Sequence, residues 1–186
     1  MGDSGDSPAT VVLVGMMGSG KTSIGRRLAK RLGRVFVDAD EGFVARYGRT
    51  IADVFATDGE DAFRAMEAEL LADVLDVAEP LVVATGGGAV LRKRTRKRLS
   101  LPDVTVLYLD ASVEHLVARS QAKAHRPLLA GADPAEVFGR LHAERDRLYR
   151  EVADIVVDVQ GPGGPGDVDK DSVVEWVAGS GILGLS

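Results

Sequence analysis

Short apolar runs alternate along this chain with longer segments in which apolar residues recur at helical spacing. The first run, residues 11–14, leads into a helical pattern over residues 21–32 that Gly33 should end, because glycine is common just after a helix. Apolar runs that alternate with helices are typical of a parallel sheet covered by helices. The sequence therefore predicts an α/β fold, with strands at 11–14, 35–38, 81–84, 104–109 and 155–157.

A glycine-rich turn separates the first predicted strand from the first predicted helix. Residues 15–22 fit the pattern G-x-x-x-x-G-K-[ST], in which backbone N–H groups surround a phosphate and the next helix presents its positive end to it. We expect Lys21 to reach the outer phosphates and the Thr22 hydroxyl to bind Mg²⁺. The predicted ligand is ATP, contacted by Gly18, Ser19, Gly20, Lys21, Thr22 and Ser23.

Two acids lie at the end of the second predicted strand. An extended chain would place Asp38 and Asp40 on one face, at the carboxyl end of a strand, where parallel sheets bind their ligands. One carboxylate could hold Mg²⁺, directly or through water, while the other could orient an attacking hydroxyl and accept its proton. Alternatively, both acids could cap the following helix, with Asp40 at its N-terminus.

The segment between the second and third predicted strands is much longer than a crossover helix requires. Its apolar residues keep helical spacing over about residues 40–78, with breaks at Gly48 and at residues 58–59. Such an excess beside a nucleotide site predicts a helical subdomain that binds the phosphate acceptor. Arg64 and Glu67 are either a surface ion pair or an arginine held in the pocket to bind an anionic acceptor.

Glycines and then basic residues follow the third predicted strand. Gly86, Gly87 and Gly88 would let the backbone approach a ligand and donate N–H groups to it, although a flexible turn has the same composition. Residues 92–98 hold six basic residues in seven, which suits either nucleic-acid binding or a solvated helix face. The solvated face is favoured, because the run is short, lacks aromatic residues and belongs to an acidic chain.

Three segments are predicted to be flexible. Residues 121–133 lose the hydrophobic period and include Arg126, a composition expected of a lid that closes over phosphates. Residues 161–170 are rich in glycine and proline and predict a connector, while residues 1–9 predict a flexible N-terminus. A short helix over about residues 171–177 follows the connector, so we expect no domain boundary there.

The composition limits the remaining classes of function. The chain has 186 residues, no cysteine and a formal net charge of -5, which excludes thiol chemistry and argues against nucleic-acid binding as the main role. It has no apolar run long enough to span a membrane and no basic leader, so we expect one domain, residues 1–186, in the cytoplasm. We therefore expect no membrane or nucleic-acid partner, and we expect a monomer because no exposed apolar stripe is evident.

The order of these motifs resembles the shikimate kinase family. The likeness runs from about residue 11 to residue 158 and rests on the P-loop, Asp-x-Asp, Phe-Arg-x-x-Glu, Gly-Gly-Gly, Arg-Pro-Leu and Arg-x-x-x-Tyr. It implies a three-layer α/β/α fold with a five-stranded parallel sheet in the order 2-3-1-4-5, a mobile lid and a helical acceptor-binding subdomain. It also implies transfer of the ATP γ-phosphate to the 3-hydroxyl of shikimate with Mg²⁺, in chorismate and aromatic amino-acid biosynthesis.

The resemblance also implies roles for individual residues. Lys21 and Thr22 match the phosphate-binding lysine and the magnesium-binding hydroxyl, and Asp38 matches an acid that holds the magnesium through water. Asp40 matches the acid that binds the shikimate hydroxyls and is the proposed base. Arg64 and Arg145 match the pair that binds the shikimate carboxylate, and Gly86, Gly87 and Gly88 match the lining of that pocket. Arg126 matches a lid arginine that contacts the transferring phosphate, and Arg119 matches an arginine that stacks on adenine.

Other functions remain open at this point. A gluconate kinase or a nucleoside monophosphate kinase would share the P-loop and the lid, but Asp-x-Asp with three glycines favours a polyhydroxylated carboxylic acid as acceptor. A regulatory GTPase is a second alternative, although the Asn-Lys-x-Asp segment that commonly recognises guanine cannot occur in a chain without asparagine. Nucleic-acid binding through residues 92–98 is the third, and it predicts an affinity that falls steeply with salt.

Overall fold

A computed structural model of the chain describes residues 9–121, 133–159 and 169–180. Within these residues five parallel strands form one sheet in the order β2-β3-β1-β4-β5, which confirms the predicted fold class and strand order. The strands are β1 (Thr10–Val14), β2 (Phe36–Asp38), β3 (Val82–Ala84), β4 (Val104–Asp110) and β5 (Ile155–Asp158). The helices are α1 (Lys21–Leu32), α2 (Ala39–Tyr47), α3 (Ile51–Thr57), α4 (Glu60–Leu75), α5 (Lys93–Leu99), α6 (Val113–Gln121), α7 (Pro134–Val152) and α8 (Lys170–Gly179).

The central strand β1 is buried between β3 and β4. Its residues Val11, Val12, Leu13 and Val14 are inaccessible to solvent, because helices cover both faces of a parallel sheet and neither face of its central strand contacts water. They belong to one hydrophobic core that also contains Leu28 of α1. The loop that follows β1 therefore starts from a rigidly packed strand.

Two glycines with left-handed backbone angles bound helix α1. Gly20, with φ 100°, precedes the helix, and Gly33, with φ 64°, follows it and donates its N–H to the carbonyl of Ala29. A side chain disfavours φ in this range, so glycine suits both positions. The helix predicted over residues 21–32 is confirmed.

Helices α2, α3 and α4 lie between β2 and β3 and share an apolar cluster of their own. Gly48 ends α2, and Thr50 begins α3 with a capping box in which Thr50 and Asp53 each bind the other's backbone N–H. The breaks predicted at Gly48 and at residues 58–59 are confirmed. The buried members of the cluster are Phe43, Val54, Phe63 and Leu70.

The basic run, residues 92–98, contains two kinds of side chain. Most of the run forms α5, and part of it is a solvated helix face as predicted. Arg96 and Arg98 differ, because only 16% and 15% of their side-chain surfaces are exposed. The exposed residues of the run are Lys93, Arg94 and Lys97.

Arg96 and Arg98 tie α5 to its neighbours. Arg96 donates to Glu151 of α7 at 3.0 Å. Arg98 donates to the carbonyl of Leu75 at the end of α4 and makes two bonds to Asp103, of 3.0 and 2.8 Å. The carbonyls at a helix C-terminus lack partners within the helix and attract cations. These two arginines, for which the sequence indicated no function, therefore hold α5 against α7 and α4.

Several predictions concern residues outside the described ranges. The predicted lid over residues 121–133, with Arg126, and the connector over residues 161–170 lie almost wholly there, as does the N-terminal segment 1–9. In the part of the chain that the structure describes, no helix has the length and apolar character needed to cross a membrane.

We predict that Arg98→Ala lowers the free energy of unfolding by about 1–2 kcal/mol, because it removes a side chain that is only 15% exposed together with its charge-assisted hydrogen bonds. The matched control is Lys97→Ala on the exposed face of the same helix, which should change it by less than about 0.5 kcal/mol. Urea unfolding of both variants measures the difference. Equal effects would contradict the packing role of Arg98.

Candidate active site

Three loops meet at the carboxyl edge of the sheet. They follow β1, β2 and β3, which are neighbours in the sheet. Leu13 of β1 pairs with Ala84 of β3, and Ala84 pairs with Asp38 of β2, so the three loops leave the sheet at one level. Parallel sheets bind ligands at this edge. The glycine-rich loop, the two acids and the three glycines are therefore brought together, as the sequence predicted.

The P-loop, residues 15–22, packs its backbone closely against the end of β4. A Cβ added at Gly15, whose φ is 140°, would lie 2.7 Å from the carbonyl oxygen of Leu109, so a side chain does not fit there. The Lys21 ammonium donates to the carbonyls of Gly15 and Met16 at 2.8 and 2.9 Å. The charge of Lys21 is therefore held inside the curve of the loop.

Hydrogen-bond donors at the start of α1 face the same loop. Gly20 provides no side-chain hydrogen bond to the first N–H groups of the helix. The Ser19 hydroxyl is buried and has no partner among the residues that the structure describes. Buried hydroxyls normally have a partner, and an anion at a helix N-terminus supplies one. The residues of the loop thus fit the phosphates of a nucleotide.

The Thr22 hydroxyl and the Asp38 carboxylate lie side by side next to the P-loop. Thr22 Oγ1 donates to Asp38 Oδ2 at 2.8 Å, which joins the start of α1 to the end of β2. Hydroxyl and carboxylate oxygens are hard ligands of the kind that Mg²⁺ prefers. This pair of residues therefore fits a magnesium ion held beside the phosphates.

The backbone at Asp38 and Asp40 differs from the sequence prediction. Helix α2 begins at Ala39, so Asp40 lies in the first turn of a helix and not in extended chain. Asp38 caps this helix, because its Oδ1 accepts from the N–H of Asp40 at 3.0 Å and of Glu41 at 3.4 Å. Of the two acids considered as caps, Asp38 caps the helix, and the capping role of Asp40 was wrong.

Asp40 lies in the first turn of α2, next to the carboxyl end of β2. Solvent reaches its side chain, yet burial by the surrounding protein raises the pKa of its carboxyl above the ordinary 3.8, and the charge of Asp38 raises this pKa further. Lys21 and Arg64 oppose the rise, so both cations are near enough to affect the carboxylate. An acid with a raised pKa is a stronger base once ionised, which suits proton abstraction.

Arg64 and Glu67 form a buried ion pair, which excludes the surface alternative. They are 7% and 3% exposed, and Arg64 Nη1 donates to Glu67 Oε2 at 2.8 Å. Arg64 also reaches Glu60 at 3.2 and 3.3 Å. Burial raises the pKa of the Glu67 carboxyl, and the charge of Arg64 opposes this. Glu67 Oε1 is buried without a partner among the described residues, so it is available to a ligand.

The three glycines pack tightly against these charged groups. A Cβ added at Gly88 would overlap the Arg64 guanidinium, and one at Gly86 would overlap the carboxylate that pairs with it. A Cβ at Gly87 would lie 3.2 Å from the backbone nitrogen of Met17 in the P-loop. The close backbone approach predicted for this segment is therefore present, and the glycines are not a loosely packed turn.

Helix α7 contributes Arg145 and Tyr149 to the same pocket. Arg145 is 4% exposed, and its Nη1 donates to the carbonyl of Gly87 at 3.3 Å. Its Nε has no partner within the described residues. Tyr149, one helical turn further on, donates its hydroxyl to the same carbonyl. Arg145 thus keeps one donor available for an anionic ligand.

The contacts described above do not include three of the nucleotide residues predicted from the sequence, Ser23, Arg119 and Arg126. Arg119 is in the last turn of α6, a helix that packs against α7, and Arg126 is outside the described residues. Ser23 accepts a hydrogen bond from Arg27 at 2.7 Å. The residues that meet at the sheet edge are Gly18, Ser19, Gly20, Lys21, Thr22, Asp38, Asp40, Arg64, Gly86, Gly87, Gly88 and Arg145.

Glu60 and Tyr149 also take part in the site. The sequence did not single out Glu60, and it included Tyr149 only as the last residue of the Arg-x-x-x-Tyr motif, without a role. Each lies four residues from a site arginine, Glu60 before Arg64 and Tyr149 after Arg145. This spacing places side chains on one face of a helix. The four-residue spacing could have indicated that Glu60 and Tyr149 lie beside the site arginines, but spacing alone does not show whether that face of the helix is buried.

The strand order, the P-loop and the adjoining charged pocket define an ATP-dependent kinase that acts on a small molecule. The sequence profile of the family described as shikimate kinase matches residues 17–171. A shikimate kinase from Chromobacterium violaceum is 48% identical over 146 residues, which are 78% of this chain and 78% of that protein. The chain belongs to the shikimate kinase family.

Solved structures agree with this assignment. A shikimate kinase from Acinetobacter baumannii in complex with shikimate superposes with a TM-score of 0.83 at 33% identity, covering 95% of this chain and 97% of that one. A gluconokinase from Sinorhizobium meliloti gives a TM-score of 0.59 at 19% identity over 91% of this chain and 89% of its own, which shows a shared fold alone.

We predict that Gly88→Ala raises the KM for the phosphate acceptor by about tenfold or more, because the added methyl would displace the Arg64 guanidinium from its bond to Glu67. Steady-state kinetics with the acceptor varied at saturating MgATP measures the change. The control is Gly139→Ala in α7, where a Cβ would meet nothing within 4 Å. That variant should keep the KM and gain about 0.5–1 kcal/mol of stability. An unchanged KM in Gly88→Ala would contradict the tight packing.

Proposed function

We propose that this chain transfers the γ-phosphate of ATP to the 3-hydroxyl of shikimate, giving shikimate 3-phosphate and ADP, in chorismate and aromatic amino-acid biosynthesis. The proposal rests on two buried arginines, Arg64 and Arg145, that pack against the triple glycine. Asp40 is near enough to Arg64 and to Lys21 of the P-loop for both charges to affect its carboxylate. A small carboxylic acid with several hydroxyl groups suits this arrangement of charges.

The arginines would bind the shikimate carboxylate. Guanidinium groups match the planar geometry of a carboxylate better than ammonium groups do, since they offer two parallel donors. Arg145 Nε has no partner among the described residues, and the Arg64 bonds to Glu60 are long, at 3.2 and 3.3 Å. Both arginines can therefore give donors to a ligand while Glu67 keeps Arg64 in place. Gly86, Gly87 and Gly88 would line the pocket and offer backbone N–H groups.

Asp40 would bind the hydroxyl that attacks and accept its proton. Its raised pKa makes the ionised form more basic than an exposed aspartate. Lys21 and the N–H groups from Gly18 to Thr22 would neutralise charge on the phosphates, because phosphoryl transfer depends mainly on positioning and charge neutralisation. In the same proposal, Ser19 and Ser23 belong to the phosphate site, Arg126 is a lid arginine on the transferring phosphate, and Arg119 stacks on adenine.

Mg²⁺ is the cofactor in this proposal. The Thr22 hydroxyl would bind it, and Asp38 would hold it through water. When bound, the ion would neutralise charge that develops on the phosphates. Asp38 also caps α2, so the residue that supports the ion fixes the helix that carries Asp40.

We also propose that the protein is a monomer in the cytoplasm and that it binds neither membrane nor nucleic acid. Two of the arginines in residues 92–98 are engaged in packing, which weakens the case for a nucleic-acid surface there. Among the residues that the structure describes, the exposed large apolar side chains belong to separate segments of the chain, and they are Val35, Val44, Val77, Leu101, Val156 and Trp176.

An acceptor screen distinguishes this proposal from a gluconate or nucleoside monophosphate kinase. We expect ADP release with MgATP to rise by at least about a hundredfold with shikimate and to stay near the rate without acceptor for gluconate and AMP. Shikimate methyl ester, which lacks the negative charge, should have a KM at least about tenfold higher because the arginines lose an ionic partner. Turnover of gluconate or AMP without turnover of shikimate would overturn the proposed substrate.

We predict that kcat falls as acid protonates Asp40, and that this fall is centred above pH 3.8 because the pKa of Asp40 is raised. Asp40→Asn should lower kcat by about a hundredfold or more and leave MgATP binding, measured by calorimetry, largely intact. The control is Glu41→Gln, an exposed acid that pairs with Arg26 at the surface. It should keep both kcat and the pH profile. A near-normal kcat in Asp40→Asn would refute the assignment of the base.

A further inference from the structure

Tyr149 connects two loops of the site without belonging to either. It is 1% exposed on α7, one turn after Arg145. Its hydroxyl donates to the carbonyl of Gly87 and lies 3.7 Å from Met16 Sδ in the P-loop. The family resemblance assigns no role to this side chain. Packing alone would need only the aromatic ring, so the hydrogen bond from the hydroxyl to Gly87 indicates a further function.

The Tyr149 proton is committed to Gly87. A phenol has one proton to donate, and a carbonyl oxygen is a much stronger acceptor than a thioether sulfur. The Met16 sulfur therefore only packs against the hydroxyl. Burial raises the pKa of Tyr149 well above its usual value, so the side chain stays protonated and remains a donor.

Two donors fix the orientation of one peptide group. Tyr149 and Arg145 both donate to the Gly87 carbonyl, which uses both of its lone pairs. The peptide between Gly87 and Gly88 is trans, so the Gly88 N–H points opposite to that carbonyl and away from α7. Within the residues that the structure describes, no acceptor binds the N–H of Gly87 or Gly88. Glycine backbone rotates easily, so an external constraint is needed to hold this geometry.

We propose that Tyr149 is a positioning residue of the acceptor pocket, whose hydroxyl holds the Gly87 carbonyl against α7 and thereby orients the Gly88 amide and the Arg145 guanidinium toward the acceptor. The inference rests on the proposed function, since it treats this pocket as the binding site for shikimate. It assigns Tyr149 to acceptor binding and not to the phosphate chemistry.

Tyr108 of β4 provides a matched control. It is also 1% exposed, and its ring stacks on that of Tyr149 with centroids 5.0 Å apart. Its hydroxyl donates to Asp146 at 2.9 Å and lies 3.3 Å from an oxygen of Asp110, whereas the hydrogen bond to Gly87 comes from Tyr149. Tyr149→Phe and Tyr108→Phe each remove one hydroxyl from the same pair of stacked rings. Only Tyr149→Phe also removes the hydrogen bond to Gly87.

The test compares Tyr149→Phe with Tyr108→Phe in the full chain. We expect Tyr149→Phe to raise the KM for shikimate by about five- to twentyfold, as the loss of one buried hydrogen bond would, with kcat within about threefold and the KM for MgATP within about twofold. Tyr108→Phe should change all three constants by less than about twofold. Calorimetric titration with shikimate should show the same weakening in Tyr149→Phe without turnover.

Three outcomes would overturn the inference. Tyr149→Phe could leave the shikimate KM and affinity unchanged, it could raise the KM for MgATP as much as that for shikimate, or Tyr108→Phe could raise the shikimate KM equally. The last two would mean that the tyrosine pair only stabilises the fold. Failure of the proposed function is a different result, because the unaltered protein would then show no shikimate-stimulated ADP release.

Discussion

Close packing between the P-loop and the triple glycine sets the geometry of the whole site. The two segments follow neighbouring strands, and Thr85 ties them together by donating both its N–H and its hydroxyl to the carbonyl of Leu13, at 3.1 and 3.0 Å. Gly87 then passes so near the P-loop that a Cβ would lie 3.2 Å from Met17 N. A phosphate on one loop and an acceptor on the other are thereby held in adjacent positions, which is what in-line transfer requires.

Charge in the acceptor pocket is nearly balanced before any ligand binds. Two arginines, Arg64 and Arg145, lie near two carboxyl groups, Glu67 and Asp40, whose pKa values are both raised mainly by burial. Burial of unpaired charges is costly, so the acids compensate for arginines that would otherwise destabilise the fold. The same balance leaves Asp40 basic enough to take a proton.

The sequence predicted the parts of the site that depend on local pattern. The P-loop, the strands and the bounds of α1 follow from glycine positions and apolar periodicity, and they are confirmed. Asp40 was misplaced in extended chain, because the cap formed by Asp38 starts the helix one residue earlier. The buried state of the Arg64 pair and the bond from Tyr149 to Gly87 depend on contacts between elements distant in sequence. No spacing rule contains that information.

The most direct test of this account is a crystal structure of the chain with ADP, Mg²⁺ and shikimate. The account predicts the carboxylate of shikimate between Arg64 and Arg145, its 3-hydroxyl within hydrogen-bond distance of Asp40, and the Gly87 carbonyl still bound by Tyr149. A ligand with its carboxylate turned toward the P-loop, or one bound away from the triple glycine, would contradict it.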